Sequence, residues 1–305
     1  MKYDIVGVGD AAYDNLCIVE NYPEEDGSTH ILEMHNQGGG CCATALVAAS
    51  RLGFSTAFIG NTGDDYAGKQ IRDTFIQDNV SIEGVDIIKG RRSSLGFVMI
   101  DPVKSTRTKF PYRNNLPDIN WTKEKYELIR NARIIHIDST NINNAMTAAR
   151  IARQAGVPIS MDGCSRKADN TPSAQLAAMA DILIMNEAFP YYTSGKNTLE
   201  EAMKFFADAG SRIVISTLGE KGCIALIDGE LRRFPAFRVN ALDSTGAGDV
   251  FHGAFIAGYL RNYSLEECIR YASAVAALKC LKIGGRDGIP NHQETLEFIR
   301  KNSEG

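Results

Sequence analysis

The stretch 241-ALDSTGAGDVFHGAF-255 places two aspartates, Asp243 and Asp249, on either side of three residues that carry almost no side chain, Gly246, Ala247 and Gly248. The apolar pattern after Asp249 is that of a buried helix, so the small residues lie at a helix N-terminus. Free backbone N–H groups and the positive end of the helix dipole make such a terminus an anion site. A glycine connector before a helix capped by Asp is the alternative interpretation.

Asp249 is the residue that favours chemistry over simple anion binding. A bound phosphate repels a carboxylate beside it, unless that carboxylate accepts the proton of an alcohol that attacks the phosphate. The stretch therefore predicts phosphoryl transfer to a hydroxyl, with Asp249 as the base. Upstream, 216-STLGEKGCIALIDGE-230 predicts a strand, a glycine turn and a second strand, which fits either a nucleotide-phosphate edge or a plain β-turn.

Short apolar runs alternate with helical patterns through the rest of the chain. Continuous hydrophobic strands that are each followed by an amphipathic helix predict an α/β fold with a doubly wound, mostly parallel sheet covered on both faces. We expect one domain over residues 1–305, ending in helices after residue 246. The strands are predicted at 4–9, 55–60, 132–138, 158–162, 181–186 and 212–217, and helices at 44–52 and 145–154.

Two stretches, residues 11–37 and 91–115, interrupt this alternation. SLGFVMID and STRTKFPY predict a hairpin with DPVK (101–104) between them. An appendage inserted after the first strand lies over the crevice at the carboxyl ends of the strands, which is the position of a lid. Phe97, Phe110 and Tyr112 are interpreted as the hydrophobic core of this lid or as a dimer face.

The composition excludes several classes of partner. Lys and Arg number 33 against 37 Asp and Glu, so the net charge of −4 gives no reason to expect nucleic acid or an anionic membrane. The sequence has no run of 18 uncharged apolar residues, and MKYDIVGVGD enters a strand pattern directly, which predicts a cytoplasmic protein. The seven cysteines include no CxxC pair and are interpreted as buried small hydrophobes rather than disulfide or zinc ligands.

Two long motifs resemble the signatures of the pfkB, or ribokinase-like, carbohydrate kinases. They are DSTGAGDVFHGAFIAG (243–258) and QGGGCCATALVAASRLGFSTAFIGNTGDDYAGKQI (37–71), and TLGEKG and AALKCLKIGGRDGIP also fit. The resemblance implies a ribokinase-like three-layer sandwich with a β-sheet lid, ATP with Mg²⁺ as the donor, a sugar as the acceptor, and in many members a monovalent cation such as K⁺. The strings GGGxxAT, GDVFHGA and AALKC are similar to those of the branch that contains ketohexokinase and sulfofructose kinase.

The same resemblance implies roles for individual residues. Asp249 matches the catalytic base, and the backbone of Gly246, Ala247 and Gly248 matches the anion hole. On the acceptor side the matching positions are Asp14, Asp26, Gly38, Gly39 and Gly40. On the nucleotide side they are Asn186, Thr217, Gly219 and Gly222, with Asp243 and Thr245 at the place of a monovalent cation.

At three positions this chain differs from the family pattern, and each difference bears on the metal or on the acceptor that the resemblance implies. Many members have an N-x-x-E motif whose glutamate helps to place Mg²⁺. This chain has Phe189 in place of that glutamate, so either Glu187 or water would take over its role. Gly40 replaces the Asn of a G-G-N motif, which disfavours ribose as the acceptor. The Arg that would bind a sulfonate is replaced by Thr140, so a phosphorylated or sulfonated acceptor would need another cation, and Arg107 and Arg113 of the lid are the candidates.

The predicted function is therefore ATP-dependent phosphorylation of a hydroxyl of a small sugar, a ketose or a sugar derivative, by a homodimer that pairs through the lid. A nucleoside kinase and a catalytically retired sugar-binding regulator are the alternatives. His252 is interpreted as a packing residue, and Lys221 and Arg286 as solvated surface charges.

Overall fold

A nine-stranded sheet forms the centre of the molecule. The computed structural model describes residues 3–101, 103, 106–112, 116–164 and 171–302. The described part of the chain forms thirteen strands, nine in this sheet and four in a second one. They are β1 (Ile5–Val8), β2 (Ala12–Val19), β3 (Ile31–Gly39), β4 (Thr56–Gly63), β5 (Val80–Ile88), β6 (Ser94–Asp101), β7 (Thr106–Tyr112), β8 (Ile134–Asp138), β9 (Ile159–Gly163), β10 (Ile182–Asn186), β11 (Ile213–Thr217), β12 (Cys223–Ile227) and β13 (Glu230–Phe234). The central order is β13-β12-β11-β10-β9-β8-β1-β4-β5.

Seven neighbouring strands of this sheet, from β11 to β5, are parallel, and β12 and β13 add an antiparallel edge. The innermost strands β1, β8 and β9 are buried at every residue, as a parallel sheet covered on both faces requires. The predicted α/β, doubly wound sheet is confirmed. The sequence analysis did not include β5, whose buried and exposed residues follow no continuous apolar run.

Helices cover both faces of the sheet and complete the three layers. One hydrophobic cluster packs under the helices that begin at residues 41, 66, 247 and 265, and the other under those that begin at residues 123, 142, 171, 189 and 199. None of the helices in the described part of the chain is both long and apolar enough to cross a membrane. The helices are α1 (Cys41–Arg51), α2 (Tyr66–Gln77), α3 (Lys123–Arg130), α4 (Ile142–Ala155), α5 (Thr171–Ala177), α6 (Phe189–Ser194), α7 (Leu199–Asp208), α8 (Ala247–Leu260), α9 (Leu265–Lys279) and α10 (His292–Lys301).

A separate four-stranded sheet, which we call the lid, has the order β3-β2-β6-β7. The predicted hairpin is present, because β6 and β7 pair antiparallel with Phe97 opposite Phe110. One face of the lid packs on the main domain through a small cluster of Leu16, Val98 and Ile100 with Ile283. Because side chains alternate along a strand, Phe97 and Phe110 lie on the other face, where they are 41% and 56% exposed.

Candidate functional site

The N-terminus of α8 holds the glycine run of the opening motif. Gly246 caps the helix with φ of 73°, a left-handed conformation that favours glycine, and a Cβ there would lie only 2.9 Å from Cα of Gly285. Gly248 has open space around it, so its backbone is accessible. The N–H of Ala247 donates to Ser244 O over 3.2 Å, and this donor of the predicted anion hole is therefore engaged in the present arrangement.

Asp243 organises the segment that leads into α8. Its Oδ1 accepts hydrogen bonds from the N–H (2.8 Å) and hydroxyl (2.7 Å) of Thr245, and its Oδ2 accepts from the N–H of Gly284 (2.8 Å). Burial by itself raises the pKa of Asp243, but these hydrogen bonds outweigh it and hold the pKa below its ordinary value. The carboxylate is thus a structural acceptor that joins two loops.

Lys279 lies beneath the same segment. This lysine is fully buried, and its Nζ donates to the main-chain oxygen of Asp243 over 2.7 Å. Both carboxylate oxygens and the carbonyl of Asp243 are therefore occupied by donors of the chain itself, and the Thr245 hydroxyl is committed to Asp243. The ammonium supplies a positive charge where the resemblance implies a monovalent cation, and a cation at Asp243 and Thr245 stays a prediction.

Asp249 lies in the first turn of α8 and is half-buried. The pKa of Asp249 is raised to about 6, mainly by burial and next by the charge of Asp162. A carboxylate with this pKa is ionised near neutral pH and is basic enough to accept a proton, as general-base catalysis requires.

A buried polar cluster supports Asp249 from the main domain. His252 Nε2 lies 3.3 Å from Oδ1 of Asp162, and both side chains are about 5% exposed. Burial lowers the pKa of His252, but the Asp162 carboxylate outweighs it and raises that pKa above its ordinary value. The His252 ring therefore lies against a buried carboxylate rather than contributing apolar packing alone, and the sequence analysis did not identify Asp162.

The residues that the resemblance places on the acceptor side include Asp14, Gly39 and Gly40, and these line a cavity of about 210 Å³ between the lid and the main domain, which we call the acceptor cavity. Asp14 and Asp249 both line it, so the structure brings together the predicted acceptor carboxylate and the predicted base. Burial raises the pKa of Asp14, and the charges of Arg286 and Lys109 partly offset this. Lys109, on β7, also lines the cavity and is a second residue that sequence reasoning did not identify.

The glycines beside Asp14 make room for other groups. A Cβ on Gly39 or on Gly96 would overlap the carboxylate of Asp14, and a Cβ on Gly38 would overlap the guanidinium of Arg286. Gly40 caps α1 with φ of 92° and packs on the main chain of Asp10. The Gly38-Gly39-Gly40 run is therefore explained by close approach and by backbone conformation.

Arg286 is not the solvated surface charge that the sequence indicated. It is 3% exposed, and its guanidinium donates to Gly39 O over 3.0 Å and approaches Thr44 Oγ1 at 3.4 Å. Burial lowers the pKa of Arg286 to about 10, and the charges of Asp78 and Asp14 act in the opposite direction. The residue therefore fixes the strand end that carries Gly39 and places a positive charge near Asp14.

Arg107 and Asp26 lie elsewhere than in this cavity. Arg107, on β7, donates to Ser244 Oγ over 2.7 Å and so joins the lid to the segment before α8. Asp26 lies in the exposed turn between β2 and β3, with φ of 63°, and is not among the residues that line the cavity. Arg113 lies outside the described residues.

The predicted nucleotide residues meet at the carboxyl ends of two adjacent strands. Asn186 of β10 is directly opposite Thr217 of β11, and Thr217 Oγ1 donates to Met185 O over 3.2 Å. Gly219 and Gly222 follow in a short turn, with φ of 61° and 87°. The grouping of these residues at one edge of a parallel sheet is the usual place for a ligand.

Phe189, which stands where the family motif has its glutamate, is part of the hydrophobic core. Phe189 is fully buried and its ring lies 6.1 Å from that of Phe206. Asn186 Oδ1 accepts from the N–H groups of Ala188 and Phe189, and its amide thus caps the start of α6. Glu187 is exposed at the end of β10, so its carboxylate fits a Mg²⁺ ion that keeps several waters and binds mainly to phosphates.

Comparisons with known proteins agree with this geometry. The family model described as pfkB family carbohydrate kinase matches residues 2–292. The chain is 29% identical to a ribokinase of Haemophilus influenzae, over 86% of this chain and 87% of the relative, and 26% identical to a nucleoside kinase of Methanothermobacter thermautotrophicus, over 96% and 94%. The structure of Arabidopsis thaliana ribokinase complexed with ribose and ATP superimposes with a TM-score of 0.85, at 25% identity and over 98% and 99% of the two chains.

The chain belongs to the pfkB family of carbohydrate kinases. It is accordingly an ATP-dependent phosphotransferase with the ribokinase fold, which confirms the family and the class of enzyme that the sequence indicated.

Proposed function

We propose that this protein transfers the γ-phosphoryl group of ATP to a hydroxyl of a small sugar, a ketose or a sugar derivative. The observation that carries the proposal is that Asp249, at the N-terminus of α8, opens onto the same cavity as Asp14. Asp14 and Lys109 would orient the acceptor, and Asp249 would face its reactive hydroxyl. The nucleotide would lie along Asn186, Thr217, Gly219 and Gly222, with its phosphates toward Gly246 and Gly248.

In this mechanism Asp249 accepts the hydroxyl proton while the acceptor oxygen attacks in line. The backbone N–H groups at the start of α8, together with the helix dipole, stabilise the charge that develops on the transferred group. Mg²⁺ bound to ATP, with Glu187 at its edge, would neutralise charge on the phosphates. The hydrogen bond from Arg107 to Ser244 couples the position of the lid to this segment, and the lid excludes water.

The charges in the cavity support an acceptor that carries hydroxyls and a negative group. Lys109 lines the cavity as a cation on a lid strand, whereas Arg107 is bound to Ser244. A phosphorylated or sulfonated ketose would place its anionic end at Lys109 and its diol at Asp14. An uncharged ketose would use the Asp14 end alone.

A nucleoside kinase is the second candidate, and a neighbouring cavity favours it. This cavity of about 180 Å³ shares Asp10 and Ser94 with the acceptor cavity, and its lining residues include Asn61, Asn141 and Asn144. Amide groups can pair with the polar edge of a nucleobase. The relative from Methanothermobacter thermautotrophicus, a nucleoside kinase, supports the same alternative.

A panel of acceptors with coupled detection of ADP release tests these alternatives. We expect turnover with a ketose, a ketose phosphate or a sulfonated ketose that exceeds turnover with ribose and with every nucleoside. A nucleoside as the best substrate would establish the second candidate instead. Saturable binding of a sugar without turnover would establish the retired regulator.

We also propose that the protein is a homodimer that pairs through the lid. The outer face of the lid exposes Phe97, Phe110 and Tyr112, and edge strand β3 adds Leu32 and Met34, which are 58% and 60% exposed. A four-stranded sheet with one apolar face in water is poorly stable unless that face is covered. A second copy of the lid is self-complementary in a twofold pairing and would cover it.

A further inference from the structure

Two thiols and a carboxylate converge beside Asp249, although they are far apart in the sequence. The ligand atoms of Cys41, Asp162 and Cys164 all lie within 4.8 Å of one another. In the described part of the chain this is the one group of His, Cys, Asp and Glu side chains that could hold a metal ion. Cys41 begins α1, whereas Asp162 and Cys164 lie at the end of β9.

The group borders Asp249, the proposed base. Cys41 and Asp249 both line the cavity between the lid and the main domain, and the Cys41 thiol lies within 4.8 Å of the ligand atoms of Cys164 and Asp162. Asp162 is 4% exposed and is held on its other side by His252 Nε2 at 3.3 Å. Four groups that can carry negative charge thus share one small space, and the imidazole of His252 lies against one of them, Asp162.

We propose that Cys41, Cys164 and Asp162 form a binding site for a thiophilic divalent cation, Zn²⁺ or Cd²⁺, next to Asp249. Two thiolates and a carboxylate are ligands of Zn²⁺, and in a tetrahedral Zn²⁺ site the sulfur atoms are about 3.7 Å apart. The three side chains therefore need only small movements to close on the ion. Hard cations such as Mg²⁺ prefer oxygen ligands, so this site is distinct from that of Mg–ATP.

The surroundings match what a Zn²⁺ site requires beyond its ligands. The hydrogen bond from His252 orients the Asp162 carboxylate, in the way that partners of ligands fix metal sites. Three protein ligands leave a fourth position, and the carboxylate of Asp249 lines the same cavity as Cys41. On the mechanism proposed above, a bound ion would occupy the base, and Zn²⁺ would inhibit the kinase.

Binding of Co²⁺ and Zn²⁺ to the whole protein, without ATP or sugar and with the thiols kept reduced by a phosphine, tests the site. Co²⁺ held by two thiolates gives an intense thiolate-to-metal absorption band, and Zn²⁺ affinity follows from competition with a chromophoric chelator. We expect one equivalent of each ion to bind. Cys41→Ser and Cys164→Ser should remove the Co²⁺ band and weaken Zn²⁺ binding by at least about tenfold.

Cys280→Ser, which changes a buried cysteine on another helix end, is the matched control and should bind Zn²⁺ as the wild type does. Circular dichroism without metal shows whether each variant is folded, and either cysteine variant alone suffices for the test. The absence of a Co²⁺ band in the wild-type protein, or Zn²⁺ affinity unchanged in a folded Cys41→Ser or Cys164→Ser protein, would overturn the proposal. Zn²⁺ binding without inhibition would leave the site in place and argue against Asp249 as the base.

Discussion

The buried ammonium of Lys279 lies 2.7 Å from the main-chain oxygen of Asp243 and supplies a fixed positive charge beneath the segment that leads into α8. We therefore expect wild-type activity to change by less than about twofold among K⁺, Na⁺ and tetramethylammonium salts at matched ionic strength, which keeps screening constant. Lys279→Met should leave the Asp243 carbonyl unpaired and cost about 1–3 kcal/mol of the free energy of unfolding, measured by denaturant titration. Strict dependence of the wild-type protein on K⁺ would contradict this account.

Gly39→Ala tests the position of the Asp14 carboxylate. The new Cβ would overlap that carboxylate and displace it from the cavity. We expect the KM for the sugar to rise by about tenfold or more, whereas the KM for ATP changes little, because only the acceptor loses an orienting group. Asp14→Ala should have the same effect on the two constants. Equal changes in both KM values would indicate that Asp14 and Gly39 have a structural role.

The raised pKa of Asp249 predicts the acid limb of the pH profile. Burial and the neighbouring Asp162 raise this pKa to about 6, and only the ionised carboxylate can accept a proton. The ratio kcat/KM for the sugar reports the ionisation of the free enzyme, so it should be constant above neutrality and fall as the pH decreases through the pKa, approaching about tenfold per pH unit below it. Circular dichroism at each pH controls for unfolding. A kcat/KM that stays constant well below the pKa in folded protein would exclude this carboxylate as the base.

The exposed lid face predicts the state of assembly. Light scattering at micromolar concentration should give twice the chain mass of 33.3 kDa. Phe97→Asp with Phe110→Asp should shift the mass toward the monomer, since two carboxylates would replace apolar surface at the centre of the pairing. Leu296→Asp, at an exposed apolar residue of α10, is the control and should leave the mass unchanged. A wild-type protein that is monomeric and fully active would contradict pairing through the lid.

Local sequence patterns determine much of this site, and tertiary contacts determine the rest. Sequence motifs predict the features that depend on residues adjacent in the chain. These are the helix cap at Gly246, the first helical turn with Asp249, and the turn at Gly219. Arg286 reaches Gly39 across 247 positions, and nothing near it in the sequence indicates that it is buried. Lys109 lines the acceptor cavity because the pairing of β7 with β6 sets which face its side chain occupies.

The same distinction applies to the cysteines. The sequence has no CxxC spacing, and five of the seven cysteines are buried as expected. Cys41 and Cys164 are half-buried and meet only because α1 begins, and β9 ends, at the same edge of the sheet. Spacing rules for metal sites detect ligands that are neighbours in the chain, and a pair brought together by the fold lies outside them.

Asp249→Asn tests the central claim most directly, because the amide keeps the shape of the side chain and cannot accept the proton. We expect kcat to fall by about 10² to 10⁴, the usual contribution of a general base, while the affinities for ATP and for the sugar, measured by calorimetry, stay within about tenfold of the wild type. A variant that binds both substrates and retains more than about a tenth of the wild-type kcat would contradict the assignment of Asp249 as the catalytic base.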